Sequence, residues 1–189
     1  MTQSEILYQL EMDLRATLEE VRQVFPQLDE AVLRQRPTEP KRWNILECFD
    51  HLNRSYGDYL PEIEHAIHKA KARQHVLQPD APVKYNWLGR EALRWARSTN
   101  GKRFKTAKRY NSLGQDIPVS SVKSFIINTE KMLRLLQMCQ NVDLNRTRVR
   151  FAVIPPLKYR LANLLEFIVV HAHRHVEQAK RLVEEFHKH

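Results

Sequence analysis

The stretch KYRLANLLEFIVVHAHRHVEQAKRLVEEF, residues 158–186, decides the fold. A rotation of about 100° per residue places Leu161, Leu164, Leu165, Ile168, Ala172, Ala179, Leu182 and Phe186 along one side of a helix running from about Lys158 to Phe186. Pro155 and Pro156 stand just ahead of it and separate it from the preceding chain. Along the same side, Ile168, His171, His175, Gln178 and Leu182 fall into one stripe, so two histidines turn towards the interior. They are four residues apart, one ring a turn above the other, and can converge on a single ion. His173 sits between them, about 200° of rotation from His171, and points away.

A helix with an apolar side needs partners, and the sequence predicts three more. From about Ser4 to Phe25, Ile6, Leu10, Leu14, Leu18, Val21 and Phe25 recur at spacings of three and four, and Pro26 closes the run. The second helix begins at Asn44, which caps it while Glu47 answers in a capping-box arrangement. Its stripe is Ile45, Phe49, Leu52, Tyr56, Tyr59, Ile63 and Ile67; Pro61 interrupts it as a candidate kink, and the pattern fades near Val76. A third helix runs from Ser120 or Ser121 to about Gln140 and buries Val122, Phe125, Ile126, Met132 or Leu133, and Leu136. The connector 26–42 holds Pro37 and Pro40, with a short turn at Ala31–Leu33, and residues 78–118 form a long irregular connection with a short helix at Leu88–Arg97. The expected fold is therefore all-α: one domain over residues 1–189, a four-helix bundle with a long crossover between helices 2 and 3.

Composition agrees with this class. Hydrophobic residues make up 42% and charged residues 28%, and only four glycines are present, too few for a sandwich or barrel rich in tight turns. Cys48 and Cys139 lie far apart with no CxxC spacing, which points away from a thiolate zinc site or a disulfide framework and towards a reducing, cytoplasmic setting. The opening residues mix charges and lack the apolar core of a signal peptide, and no apolar run approaches the roughly 18–20 residues of a membrane span. Neither export nor a membrane is expected.

Two inward histidines rarely make a tight site, so a third ligand is expected from another helix. His51 is the best candidate, beside the core position Leu52 and one turn after Cys48; His68 is the reserve. Taken alone, a histidine near a core face is more often a hydrogen-bonded packing residue than a ligand. The segments WNILECFDHLNRS (Trp43–Ser55) and HAHRHVEQ (His171–Gln178) together carry more information. They resemble the DinB-like family of metalloenzymes, in which a tryptophan and a capping residue precede a helix with the first histidine, and an HxxRHxxQ-type motif supplies the other two. The match falls on His51, His171, Arg174, His175 and Gln178, and the order of helices along nearly the whole chain is the family order. The resemblance implies the bundle, its long crossover and one divalent metal ion (zinc, nickel, manganese or iron) on His51, His171 and His175.

Three imidazoles leave such an ion at least one open position, as in a catalytic site; the ion would lower a bound water's pKa towards about 7 or take a thiol as its thiolate. Members of the resembled family include thiol-dependent S-transferases and proposed hydrolases, so a small-molecule substrate is expected, anionic or a low-molecular-weight thiol. Glu47, one turn before His51, and Gln178 are candidates to support the ligands from behind, although capping explains Glu47 as well. Cys48 reads as packing.

Net charge is +9, and residues 84–110 hold nine basic residues against Glu91 alone, a net +8. Within this segment Arg90, Arg94 and Arg97 can share a helix face as an anion-binding surface, with Trp87 and Trp95 beside them. The same residues would suit single-stranded nucleic acid, and a solvated crossover explains them too. The leading expectation is a metal-dependent transferase or hydrolase for which nucleic acid is not the partner. The alternative is a nucleic-acid or partner-binding helical module whose metal is structural or vestigial. A homodimer is compatible with either.

Overall fold

A computed structural model describes residues 1–97, 106–152 and 157–187. Among the described residues the chain is mainly helical: α1 (Gln3–Val24), α2 (Glu30–Arg34), α3 (Ile45–Ala72), α4 (Trp87–Arg97), α5 (Ser121–Cys139) and α6 (Leu161–Phe186), with a 3-10 turn at Lys108–Tyr110. Two short strands, β1 (Arg148–Arg150) and β2 (Lys158–Arg160), pair antiparallel between α5 and α6. No helix among these residues is long and apolar enough to cross a membrane.

The long helices form where the apolar spacing put them. α1 packs on α5 and α6, and α3 packs on the same two helices, so each apolar stripe is covered from two sides. Ile6, Leu10, Leu14, Leu18, Val21 and Phe25 of the first stripe are all buried, as are Ile45, Phe49, Leu52, Tyr56, Tyr59, Ile63 and Ile67 of the second. α4 lies on the outside of α6. Gly89 is the contact point, since a Cβ there would come within 2.5 Å of Asn163 Oδ1 on α6.

Two of the long helices, α1 and α3, begin on side-chain caps. Thr2 and Glu5 close a capping box on α1, and Asn44 and Glu47 close another on α3. In the second, the Glu47 N–H donates to Asn44 Oδ1 at 2.8 Å and the Asn44 N–H donates to Glu47 Oε2 at 2.9 Å. The Glu47 carboxylate is fully buried, and the Arg36 guanidinium meets it with two hydrogen bonds of 3.0 and 2.7 Å. At the other end, Gln74 adopts a left-handed φ of 54° and the His75 N–H turns back to Ala70 O at 3.0 Å, which ends α3 at Ala72, short of Val76. Pro61 does not end the helix. It and Gly57, whose carbonyl loses its partner, both face solvent, where water can take that carbonyl.

One expectation needs correction. Lys158, Tyr159 and Arg160 belong to a strand and not to the last helix, which starts at Leu161. Their burial alternates, and Val149 pairs with Tyr159 inside while cations point outward, a period of two that the helical stripe of residues 161–186 masked. Tyr159 is held by Phe151 at a ring separation of 4.2 Å. The small sheet is a minor addition, and the described chain remains mainly helical as expected. The short helix expected at Leu88–Arg97 is α4, beginning one residue earlier.

The return half of the crossover is fastened to α3 through a row of polar residues one turn apart. Gly114 N–H donates to Glu47, Ser112 Oγ donates to Asp50 at 2.6 Å, and both Arg109 and the Tyr110 hydroxyl bind Asp58. Arg54 adds an ion pair with Asp50 at 2.6 Å and a hydrogen bond to Gln115.

Removing the Asn44 cap should expose this dependence. Asn44→Ala is expected to cost ~1 kcal/mol, equivalent to a fall of roughly 2–4 °C in Tm for a chain of this size, read by thermal circular dichroism. An unchanged Tm would mean that Arg36 and Gly114 hold Glu47 without the cap.

Candidate metal centre

His51 lies in the second turn of α3, while His171 and His175 lie one turn apart in the middle of α6. Packing of α3 on α6 brings the three rings together, with one ring nitrogen from each within 4.8 Å of the others. His51 Nε2 stands 3.0 Å from His171 Nε2, and the His175 ring centre is 4.6 Å from that of His51 and 4.7 Å from that of His171. Two nitrogens on a tetrahedral ion, each about 2.0–2.1 Å from it, are about 3.3 Å apart. The first pair therefore needs to open by only a few tenths of an ångström.

Backing groups determine which nitrogens face inward. His51 Nδ1 is 2.8 Å from the backbone carbonyl of Tyr110, which can only accept, so Nδ1 carries the proton and Nε2 presents its lone pair. His175 Nδ1 is 3.0 Å from Gln178 Oε1, which fixes the same tautomer. This is how metal-ligating histidines are oriented in general. At 3.0 Å the His51 Nε2 lone pair can accept from a His171 Nε2–H, and a cation between the two nitrogens would take that proton's place.

The rings are also uncharged. Burial lowers the His51 pKa from 6.5 to about 4, although the Tyr110 carbonyl works against the shift. Burial, the neighbouring imidazoles and the Arg174 guanidinium drive His171 and His175 well below the ordinary value. Neutral imidazole is the form that binds a metal ion. Trp43, next to the Asn44 cap, lies 4.7 Å from the His51 ring and 5.6 Å from that of His175, and Phe167 stacks on His171 at 5.5 Å. His51 and His175 are buried, and His171 is partly exposed as a residue.

The other candidates fall elsewhere. Glu47 is used by the cap, Arg36 and Gly114, and Tyr110 rather than Glu47 orients His51. Gln178 sits behind His175. Cys48 is fully buried, and burial pushes its thiol well above the ordinary range, so it stays protonated. His68 is exposed. His173 is exposed too, on the side of α6 facing α1, where its Nδ1 lies 3.5 Å from Thr17 Oγ1. There Glu20, His173 and Glu177 form another loose group, but the Lys180 ammonium already bridges the two carboxylates at 3.2 and 2.8 Å. Arg90 and Arg94 are exposed on α4, and Arg94 pairs with Glu91. The Arg97 and Trp95 side chains and residues 98–105, with much of the expected basic surface, lie outside the described residues. Tyr110 escaped the sequence reading because its contribution is a backbone carbonyl, which leaves no mark on residue type.

Fold and site together define a class: a mainly helical protein whose facing helices hold three neutral histidines in an arrangement that could bind a metal ion. The chain belongs to the DinB superfamily, whose family profile matches residues 13–179. No curated protein and no solved structure shows significant similarity to it.

Untagged protein should carry about one equivalent of divalent metal by elemental analysis; His171→Ala and His175→Ala should lose it while remaining helical by circular dichroism, and His173→Ala should keep it. Loss in His173→Ala as complete as in His175→Ala would refute the facing assignment. Acid should destabilise the chelated protein. The His51 pKa is lower when folded, near 4, than its ordinary 6.5, so the unfolded chain binds more protons; the associated stability is complete above about 6.5 and is lost as pH falls through the folded value. The urea midpoint should drop between pH 7.5 and 4.5, and His51→Leu should flatten that slope.

Proposed function

We propose that this chain is a metal-dependent enzyme acting on a small molecule, a thiol S-transferase or a hydrolase, built as a single-domain four-helix bundle around His51, His171 and His175. The observation that carries this reading is the donor set. Three neutral imidazoles converge, and among the described residues no carboxylate or thiolate joins them as a fourth ligand. A structural site would be closed by a fourth protein group; a set of three leaves a position for a reactant. All-imidazole donors suit zinc, nickel or iron better than manganese, which prefers oxygen ligands.

A divalent ion held there supplies Lewis acidity towards a thiol or a water molecule. The protein's part is to hold the rings in one tautomer through Tyr110 and Gln178, and to exclude bulk water with Trp43 and Phe167. Those two aromatic faces favour a substrate with an apolar part beside its reacting group. His171, the one partly exposed residue of the three, marks the side from which a substrate would approach. A cytoplasmic setting fits the two buried, unpaired cysteines, Cys48 and Cys139.

The test is a screen of zinc- or nickel-loaded protein with low-molecular-weight thiols paired with aryl or alkyl electrophiles, and separately with ester and amide substrates. Turnover should fall at least about a hundredfold in His175→Ala, the scale of losing a group that acts in the transition state, and stay within about twofold in His173→Ala. The competing reading, a nucleic-acid-binding module, would be favoured by submicromolar binding of a single-stranded oligonucleotide at about 0.15 M salt. That binding would weaken steeply with salt, with a log–log slope near −0.7 per phosphate contacted.

A further inference from the structure

The last turns of α3, the turn after α5 and the base of the hairpin enclose a cleft of about 180 Å³. Lys69, Arg73, His75, Arg146, Arg148 and Lys158 line it, drawn from three segments of the chain, and no Phe, Tyr or Trp does. Lys69 is eighteen residues beyond His51 on the same helix, about 27 Å along its axis at 1.5 Å per residue. The cleft is therefore separate from the metal centre, and a ligand held there is independent of any reaction at the histidines.

Like charges are gathered here without their usual compensation. Among the described residues, the hairpin's ion pair joins Arg150 to Glu62 at 3.9 Å, and Arg150 does not line the cleft. None of Lys69, Arg73, Arg146, Arg148 and Lys158 has a carboxylate partner among those residues. Asp143, in the adjoining turn, spends its Oδ1 on the backbone N–H groups of Asn145 at 2.8 Å and Arg146 at 3.2 Å. The strand register sharpens the conflict. Arg148 stands opposite Arg160 and Arg150 opposite Lys158, and like charges directly across a strand pair destabilise it. Arg160 also leaves its Nε buried with no partner. Burial and the charge of Arg160 pull the Arg148 guanidinium below its ordinary pKa.

We propose that this cleft is a binding site for a compact multivalent anion, a pyrophosphate-like group standing free or at the end of a small molecule. Its volume is below the roughly 300 Å³ of a pocket that takes a drug-sized ligand, so the charged group itself fills it. Guanidinium and ammonium donors on three sides match a phosphoryl group's several acceptor oxygens. A bound anion also relieves the cross-strand repulsion, so binding and hairpin stability are coupled. Single-stranded nucleic acid is the weaker fit because no Phe, Tyr or Trp lines the cleft as a platform for successive bases.

Isothermal titration calorimetry of the full chain with pyrophosphate at about 0.15 M salt tests the site. One-to-one binding is expected. Arg146→Gln/Arg148→Gln and, independently, Lys69→Gln/Arg73→Gln should each weaken it at least about tenfold, the scale of losing a charge-assisted contact. Arg90→Gln/Arg94→Gln on α4 and His175→Ala at the metal centre should stay within about twofold of the parent. All four variants are checked for helicity by circular dichroism. Absence of saturable heat would overturn the proposal, as would an equal loss in the α4 pair, which would mean diffuse attraction to net charge. A loss confined to His175→Ala would assign the pyrophosphate to the metal. A free-phosphate source is separated from a phosphorylated small molecule by titrating tripolyphosphate and a nucleoside diphosphate alongside: equal affinities mean that only the phosphates are read, and tighter binding of the nucleotide means that its remainder is held too. An oligonucleotide that bound more tightly than pyrophosphate through the same residues would replace this site with a nucleic-acid surface.

Discussion

Three uncharged imidazoles are held against each other between α3 and α6, with the ring nitrogens of His51 and His171 close enough to share a proton or a cation. Burial imposes this, because a protonated histidine in that position would carry its charge without water. The rest of the interior accommodates it. Apolar stripes from α1, α3, α5 and α6 exclude solvent around the rings, and Trp43 and Phe167 cover their faces. The arrangement is well suited as a ligand set, since the neutrality that burial enforces is the state a metal ion requires.

Tautomer control links this interior to the surface. The carbonyl that fixes His51 belongs to Tyr110, in a crossover that would otherwise be free to wander. It is fixed by the polar row Glu47, Asp50, Arg54 and Asp58 along α3, each side chain engaging the return segment between Arg109 and Gln115. Glu47 occupies a junction. It caps the helix that carries His51, accepts Arg36 from the connector and holds Gly114. A buried carboxylate with this many donors is compensated in full, whereas removing one donor would strand the charge.

Charge is distributed differently in space than along the chain. Most of the net charge falls within residues 84–110, yet two of its cations are locally answered, Arg94 by Glu91 and Arg109 by Asp58. Lys69, Arg73, Arg146, Arg148 and Lys158, without such answers among the described residues, meet in the cleft at the far end of α3, from positions that look unremarkable one at a time. Pairwise neutralisation depends on distance, and distance between segments is decided by packing.

The sequence by itself determined the helices and the inward direction of the ligands, because both follow from a local period of 3.6 residues that residue type alone reveals. The stripes of α1, α3, α5 and α6, the Asn44–Glu47 cap, and the opposite facings of His173 and His175 were all legible in that way. His51 was legible only with the help of a resemblance, since one histidine beside a core stripe has no period of its own. Tertiary structure alone decided that Tyr110 lends its carbonyl to His51, that Glu47 turns to Arg36 and Gly114 instead of to the histidines, and that Lys158–Arg160 pair as a strand. The basic cleft belongs with these. Each joins groups distant in sequence, several through backbone atoms that every residue carries, so no pattern of side chains along the chain could encode which partners would meet.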